Sequence, residues 1–317
     1  MEDITMADIS AAQVKELRDM TGSGIMDCKR ALQESEGDIE KAVAWLREKG
    51  IAKAEKKSAR VAAEGAVIAK IADDKKSGVL VEINIETDFA ANTDKFKAFA
   101  DAVATHILAK KPASVEDLMA QTLYNDDSKT VELFQKEAIA DIGENTSIRR
   151  FVVYEVEGNG AVASYIHMGG KIGVFVDLAT DDDSVIAKPE FADFAKDIAM
   201  QIAAANPKWL TREDVPAAEI EKETEIIINK NLNEGKPEKI IRERILPGNI
   251  EKFYKENCLV EQEFVKDDSK SIATYTKERS SALGQNISIR RFTRFEMGEG
   301  IAKKEENFAE EVMKQIK

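Results

Sequence analysis

Along "VLVEINI" (79–85), apolar and polar residues alternate. Val79, Val81, Ile83 and Ile85 fall on one side, Glu82 and Asn84 on the other. A period of two predicts a half-buried strand. "GAVIAKI" (65–71) lies ahead of it across the polar stretch "ADDKKS" (72–77), which reads as a hairpin. After the second strand the chain enters Thr87-Asp88-Phe89 and then a helix start at about Asn92–Asp94. Continuing the strand period puts Phe89 on the same side as Ile85, as its last core residue. The alternative is that Phe89 is held outward for another molecule to grip. The pattern leaves both open.

The helical stretch from Phe96 carries Phe96, Phe99, Ala100, Val103 and Ile107 at the i, i+3, i+4, i+7 spacing of one buried face. "SIRRFVVYEVEG" (147–158) then predicts a closing strand. Strands in hairpins followed by helices point to an α+β module. The module occurs twice. "IGENTSIRRF" from 142 returns as "LGQNISIRRF" from 283, and "DDSKTV" from 126 as "DDSKSI" from 267, both at an offset of 141. "FKAFADAVATHILAKKP" from 96 matches "FADFAKDIAMQIAAANP" from 191 at an offset of 95, which also pairs Gly65 with Gly160, Gly78 with Gly173 and Pro112 with Pro207. The second copy therefore holds about 46 extra residues, inserted between Pro207 and Asp267.

That insertion consists of two charged helical segments about Gly235-Lys236-Pro237, which predicts an antiparallel helical hairpin near 216–264. Its thin apolar stripe (Ile220, Ile227, Ile228; Ile240, Ile241, Ile245) closes either on itself or on a partner. The first fifty residues read as a separate three-helix domain. Ser10 and Gln13 form a capping box that opens a helix with Val14 and Leu17 inward. "TGSG" (21–24) breaks that helix, and a second one from Ile25 stops at Gly37. A third, capped by Asp38, buries Ile39, Ala42, Val43 and Leu46 and stops at Gly50. "IAKAEKKSAR" (51–60) follows as a polar helical linker.

Composition then narrows the function. A chain of 317 residues has room for two or more domains, and its formal charge of −13 argues against a nucleic-acid binder. No apolar run reaches the roughly 18 residues of a membrane span, and the acidic start shows no signal peptide. Cys28 and Cys258 have no metal-site spacing and read as reduced, packed thiols of a cytosolic protein. Of the two histidines, His106 reads as a solvent or core-edge residue of the Phe96 helix. No spacing supplies a nucleophile–base pair or a metal cluster. "MGGKIG" (168–173) has a Gly-Lys pair, but Tyr165 and Ile172 stand where a phosphate loop needs Gly and Ser/Thr. The chain reads as a binding protein, not an enzyme, with no cofactor. At the offset of 95, Phe89 faces Ser184. The second copy does without the aromatic, which counts toward an outward role, while the strand period still counts toward the core.

The segments "VKELRDMTGSGIMDCKRALQESEGDIEKAVAWLREKG", "NIETDFAAN", "YIHMGGKIGV", "GKPEKIIRERI…FYKENCLVEQEFVKD" and "IRRFTRFEMGEGI" resemble translation elongation factor Ts, in that family's order and over nearly the whole chain. The resemblance implies a ubiquitin-associated-like three-helix domain at 1–55, a linker at 56–60 and core subdomains at 61–157 and 158–296. It also makes the inserted hairpin a coiled-coil or homodimerisation element and places a C-terminal helical module at 297–317. It implies a cytoplasmic guanine nucleotide exchange factor that acts on elongation factor Tu, GDP-bound or nucleotide-free, during protein biosynthesis, with no direct contact to nucleic acid or membrane. The family's Thr-Asp-Phe-Val motif disturbs the Mg²⁺ site of Tu. Here it corresponds to Thr87, Asp88, Phe89 and Ala90, with Ala90 departing from the family's Val. Further partner contacts implied by the resemblance are Lys29, Ile142, Gly143, His167 and Val265. A ubiquitin-type adaptor rests on the N-terminal domain alone, and the doubled core argues against it. A metabolic enzyme would need a pocket with convergent titratable groups.

Overall fold

The computed structural model describes residues 9–302. The described chain divides into two compact units, one built from residues 9–68, 81–151 and 297–302, the other from 69–80 and 152–296.

The first unit begins with α1 (Ala11–Thr21), where the Ser10 hydroxyl accepts the Gln13 amide and the Gln13 side chain accepts the Ser10 amide in return. Gly22, at φ +66, ends α1 in the left-handed conformation that glycine adopts without strain. α2 (Ile25–Glu34) and α3 (Ile39–Lys57) complete the bundle around Val14, Leu17, Cys28, Ala31, Leu32 and Ala42, with Ile39, Val43 and Leu46 partly buried against them. The expected stop at Gly50 is wrong. α3 runs on for 19 residues without a break. It packs against α7 (Val131–Ile142), and a Cβ at Gly50 would lie 3.0 Å from that of Ala140. Gly50 is there for close helix approach, not termination, and of the segment expected as a linker, residues 51–57 are the last part of α3 while 58–60 follow it.

β1 (Glu64–Ile71), β2 (Ser77–Ile85) and β3 (Thr146–Glu155) form a three-stranded sheet in the order β1-β2-β3. α4 (Asp88–Ala91), α5 (Asp94–Lys110) and α6 (Val115–Ala120) precede α7. The expected stripe of α5 is buried, and Phe99 meets Phe134 of α7 at 5.1 Å between ring centroids. β2 differs from its expectation. It is the central strand and is buried on both sides, including Glu82 (0% exposed) and Asn84. Glu82 accepts bonds from Arg149 Nη1 (2.9 Å), Arg150 Nε (2.6 Å) and the Gly298 amide (2.8 Å). Burial disfavours its charge, but the Gly298 amide and the two guanidinium groups outweigh burial and hold its carboxyl below the usual range. His106, expected at the surface or the core edge, is fully buried. Its Nδ1 accepts the Tyr124 amide (3.0 Å), so the ring proton sits on Nε2 and is donated to Gln121 Oε1 (2.9 Å). Burial lowers its pKa and keeps it neutral.

The second unit repeats the plan. β4 (Gly160–His167), β5 (Ile172–Thr180) and β8 (Ile287–Glu296) form an antiparallel sheet in the order β4-β5-β8, and α8 (Pro189–Ala205) packs on β4 and β5. Asp177 stands where Glu82 stands in the first copy, and Arg290 and Arg291 bind it at 3.2 and 3.0 Å. Lys270 joins Asp267 to Glu278 as Lys129 joins Asp126 to Glu137. The duplication is thus visible in the polar clamps as well as in the hydrophobic face.

The inserted residues form α9 (Ala217–Asn233), a turn at Gly235, α10 (Glu238–Ile240), a π turn (Ile241–Ile245) and α11 (Leu246–Asn257). Pro247 has no amide to donate one turn back, and the helix widens into the π turn just ahead of it. α9 packs on the π turn and on α11, with Ile227 and Ile241 buried, while Ile226, Leu232 and Ile240 stay exposed. The segment after Asn257 belongs to the core. Leu259 and Phe264 join the cluster of α8, and β6 (Glu263–Phe264), β7 (Asp267–Ser271) and α12 (Ile272–Leu283) lead into β8. Both cysteines are buried and unpaired, and burial pushes the Cys258 thiol up to about 11. The expected C-terminal helix lies beyond the described residues, which end after a turn at 297–300.

Candidate partner-binding site

At the end of β2 the backbone changes period. Thr87, with extended φ and ψ, caps α4, and its Oγ1 accepts the Ala90 amide (3.2 Å). From Asp88 onward the residues are helical, so the strand alternation that would carry Phe89 inward stops two residues short of it. Ala90 is buried and seats the turn, and the Asn92 side chain ties back to the Asp88 carbonyl (2.8 Å). Phe89 is 85% exposed. Asp88 beside it is also exposed. An apolar ring held in water on a hydrogen-bonded turn has its burial free energy still available for a complex.

The end of α7 meets this turn. Gly143, at φ +93, reverses the chain after Ile142 and donates its amide to the Ile139 carbonyl (3.0 Å). Apart from its chain neighbours, no atom lies within 4 Å of where a Gly143 side chain would begin. The Gly143 carbonyl accepts from Lys57 Nζ (2.5 Å). The next residue, Glu144, takes the Thr87 amide on Oε2 (2.9 Å) and the Thr87 hydroxyl on Oε1 (2.8 Å). Glu86 answers by accepting the Asn145 amide (2.6 Å). The structure therefore brings Thr87, Asp88, Phe89 and Ala90 together with Ile142 and Gly143. Glu144 and Glu86 make the junction, and neither stood out in the sequence. The signal available was the repeat, since "GEN" and "GQN" occupy corresponding places in the two copies.

The other expected contacts lie elsewhere. Lys29 is exposed on α2, among the exposed Ile25 and Met26. Near them is a cleft of about 700 Å³ bordered by Trp45, Gly50 and Ala140. Two ion pairs lie along it, Lys53 with Asp27 (3.1 Å) and Arg47 with Glu137 (2.7 Å). In the second unit His167 ends β4, and its Nδ1 lies 3.0 Å from the Tyr165 hydroxyl. "MGGKIG" is the tight turn into β5, with the Gly170 and Lys171 amides on the His167 carbonyl. Met168 stands exposed there. Val265 is 52% exposed, between β6 and β7, and its amide is held by Gln201 Oε1 (2.8 Å).

Fold and site together define a duplicated α+β binding protein that presents a braced aromatic at a strand–helix junction. The family described as "Elongation factor TS" matches residues 86–299. Proteins named Elongation factor Ts from Clostridium botulinum (53% identical), Trichlorobacter lovleyi (51%) and Nitratiruptor (50%) align with 97%, 96% and 98% of this chain, and with 99%, 97% and 99% of their own lengths. The chain belongs to the elongation factor Ts family, a family of translation elongation factors. Among the described residues, no helix is long and apolar enough to cross a membrane, and no group of His, Cys, Asp or Glu is arranged to hold a metal ion.

Proposed function

We propose that this protein releases GDP from elongation factor Tu by inserting Asp88 and Phe89 beside the Mg²⁺–phosphate site, in the cytoplasm, during translation elongation. Family membership supports the exchange activity and the partner. The exposure of Phe89 on its braced turn supports the wedge. Exchange makes and breaks no covalent bond, so it needs affinity differences and no catalytic group. A factor that weakens nucleotide binding must itself be weakened by nucleotide to the same extent. Burying Phe89 in a partner pocket contributes about 1.5–3 kcal/mol, which stabilises a partner conformation with displaced phosphate contacts. Asp88 supplies a carboxylate that competes for donors near the metal.

Ile142 and Gly143 extend the same edge, because Gly143 leaves its backbone open to close approach. Ala90 is largely buried within the chain's own fold, so its departure from the family's Val acts on the seating of the turn. Lys29, His167 and Val265 serve as further grips in this reading, supported by the exposure of Lys29 and Val265 and by Ile166 and Met168 beside His167. The three short helices of the N-terminus are read as the ubiquitin-associated-like domain. The exposed Ile226, Leu232 and Ile240 support pairing with a second copy through the inserted helices, which sedimentation checks directly. Release of a fluorescent GDP analogue from Tu, timed with and without the protein, tests the function. A release rate that stays at the spontaneous value in the presence of folded protein would reject it.

A further inference from the structure

We propose that Glu144 is a positioning residue, whose carboxylate locks the Phe89 turn to the end of α7 so that the ring and the Ile142–Gly143 terminus meet a partner as one edge. The inference rests on the reading of Phe89 as the wedge. Its starting point is the number of jobs done by Thr87. The Thr87 hydroxyl caps α4 by accepting the Ala90 amide, and it donates its proton to Glu144. The Thr87 amide donates to the second oxygen of the same carboxylate. An ionised carboxylate accepts both bonds at once, and charge-assisted bonds are the stronger kind. Asn145 to Glu86 crosses in the opposite direction, so the two segments are tied by reciprocal bonds. Lys57, on the Gly143 carbonyl, fixes the α7 end from a third element.

The second copy provides an internal comparison. There the Asp182 amide donates to Gln285 Oε1 (3.1 Å), and the Asn286 amide to Asp181 (2.8 Å). The tie is repeated in form, but its acceptor is a neutral amide, which takes one backbone bond on Oε1 and gives a longer one (3.4 Å) from Nε2 to the Ser184 hydroxyl. The following turn is held by the Asp182 side chain itself, on the Ser184 amide (2.6 Å). That turn carries Ser184 and no aromatic. The fold therefore closes with glutamine at this place. The charged brace, which accepts on both of its oxygens, occurs in the copy that must hold a ring in water. Glutamine at 144 would offer one acceptor oxygen and an amide to which the Thr87 hydroxyl could only act as acceptor, so the charge-assisted bond from that hydroxyl would be lost.

The test measures GDP-analogue release from Tu against rising concentrations of Glu144→Gln, with amide hydrogen exchange of Thr87 on the free protein. Because the remaining contacts still seat the partner, a turn that occupies its productive orientation for less of the time within the complex lowers the maximal rate in proportion. The expected result is a roughly five- to tenfold lower maximal rate, a half-saturating concentration changed less than about twofold, and faster exchange of the Thr87 amide. Glu144→Asp keeps the charge with a shorter reach and should fall between. It carries the test if the glutamine variant melts early. Gln285→Ala, which cuts the equivalent tie in the second copy, should leave release unchanged. A parental maximal rate in Glu144→Gln despite a freed Thr87 amide overturns the proposal, as does an equal loss in Gln285→Ala. Phe89→Ala in the same assay separates the two ideas. If it releases GDP at the parental rate, the wedge reading fails. If it is slow while Glu144→Gln is not, only the brace fails.

Discussion

Replacing Phe89 with alanine should separate stability from function. In the free protein the ring is 85% exposed, so its removal deletes little packing and leaves stability within about 0.5 kcal/mol of the parent. In the complex the same ring is worth about 1.5–3 kcal/mol if fully buried, and most of its surface is still available for that burial. At about 1.4 kcal/mol per factor of ten, GDP release from Tu should slow by roughly ten- to a hundredfold at limiting concentrations of the variant. Phe96, seven residues on, is a control of the opposite kind. It is 1% exposed, and Phe96→Ala should cost about 3–5 kcal/mol through cavity formation. Thermal melting and stopped-flow release are measured on one preparation of each protein. A large fall in melting temperature for Phe89→Ala would refute the reasoning, because it would mean that the ring supports the fold. An unchanged release rate would refute it from the other side.

Three further outcomes are expected. Glu82→Gln should cost about 1.5–3 kcal/mol near neutral pH by weakening bonds from Gly298, Arg149 and Arg150. Because the folded pKa of Glu82 is depressed, its contribution is complete above the unfolded value of about 4.3 and is lost as pH falls through the folded value. The melting gap between parent and variant should therefore narrow in acid, and a gap constant down to pH 3 would contradict the assignment. Gly50→Leu should push α3 off Ala140 and destabilise by about 1–3 kcal/mol, read by denaturant unfolding, whereas a true helix stop there would tolerate the change. Replacing residues 217–256 with a short Gly/Ser linker should leave a cooperatively unfolding core, since Cys258, Leu259 and Phe264 are retained. Loss of the cooperative transition would show that α9 and α11 are part of that core.

Much of the architecture was legible because it was written twice. The paired offsets located the insertion without any helix needing to be recognised, and the stripe of α5 reappeared as the buried face of α8. What the pattern missed depended on long-range company. The alternation of β2 looked like a strand with one wet face, because nothing local says that Arg149, Arg150 and Gly298 will arrive to cover Glu82. Gly50 looked like a terminator, because a glycine kept for close helix approach has the same letter as one kept for a left-handed turn. Phe89 was ambiguous while the strand period was extended through it. The Thr87 cap resolves it, since a helical turn beginning at Asp88 cancels that period. Glu144 was invisible for a further reason. Its partner, Thr87, is 57 residues away, and only the corresponding "GQN" of the second copy hinted that the place was structural.

Accelerated nucleotide loss from elongation factor Tu is the activity proposed for this chain. The direct measurement is the dissociation rate of a fluorescent GDP analogue preloaded on Tu, followed after mixing with excess unlabelled GDP and increasing amounts of the full-length protein. The rate should rise with concentration to a plateau far above the spontaneous rate, without consumption of nucleotide. A rate that stays at the spontaneous value, with protein shown to be folded by its melting transition, would contradict it.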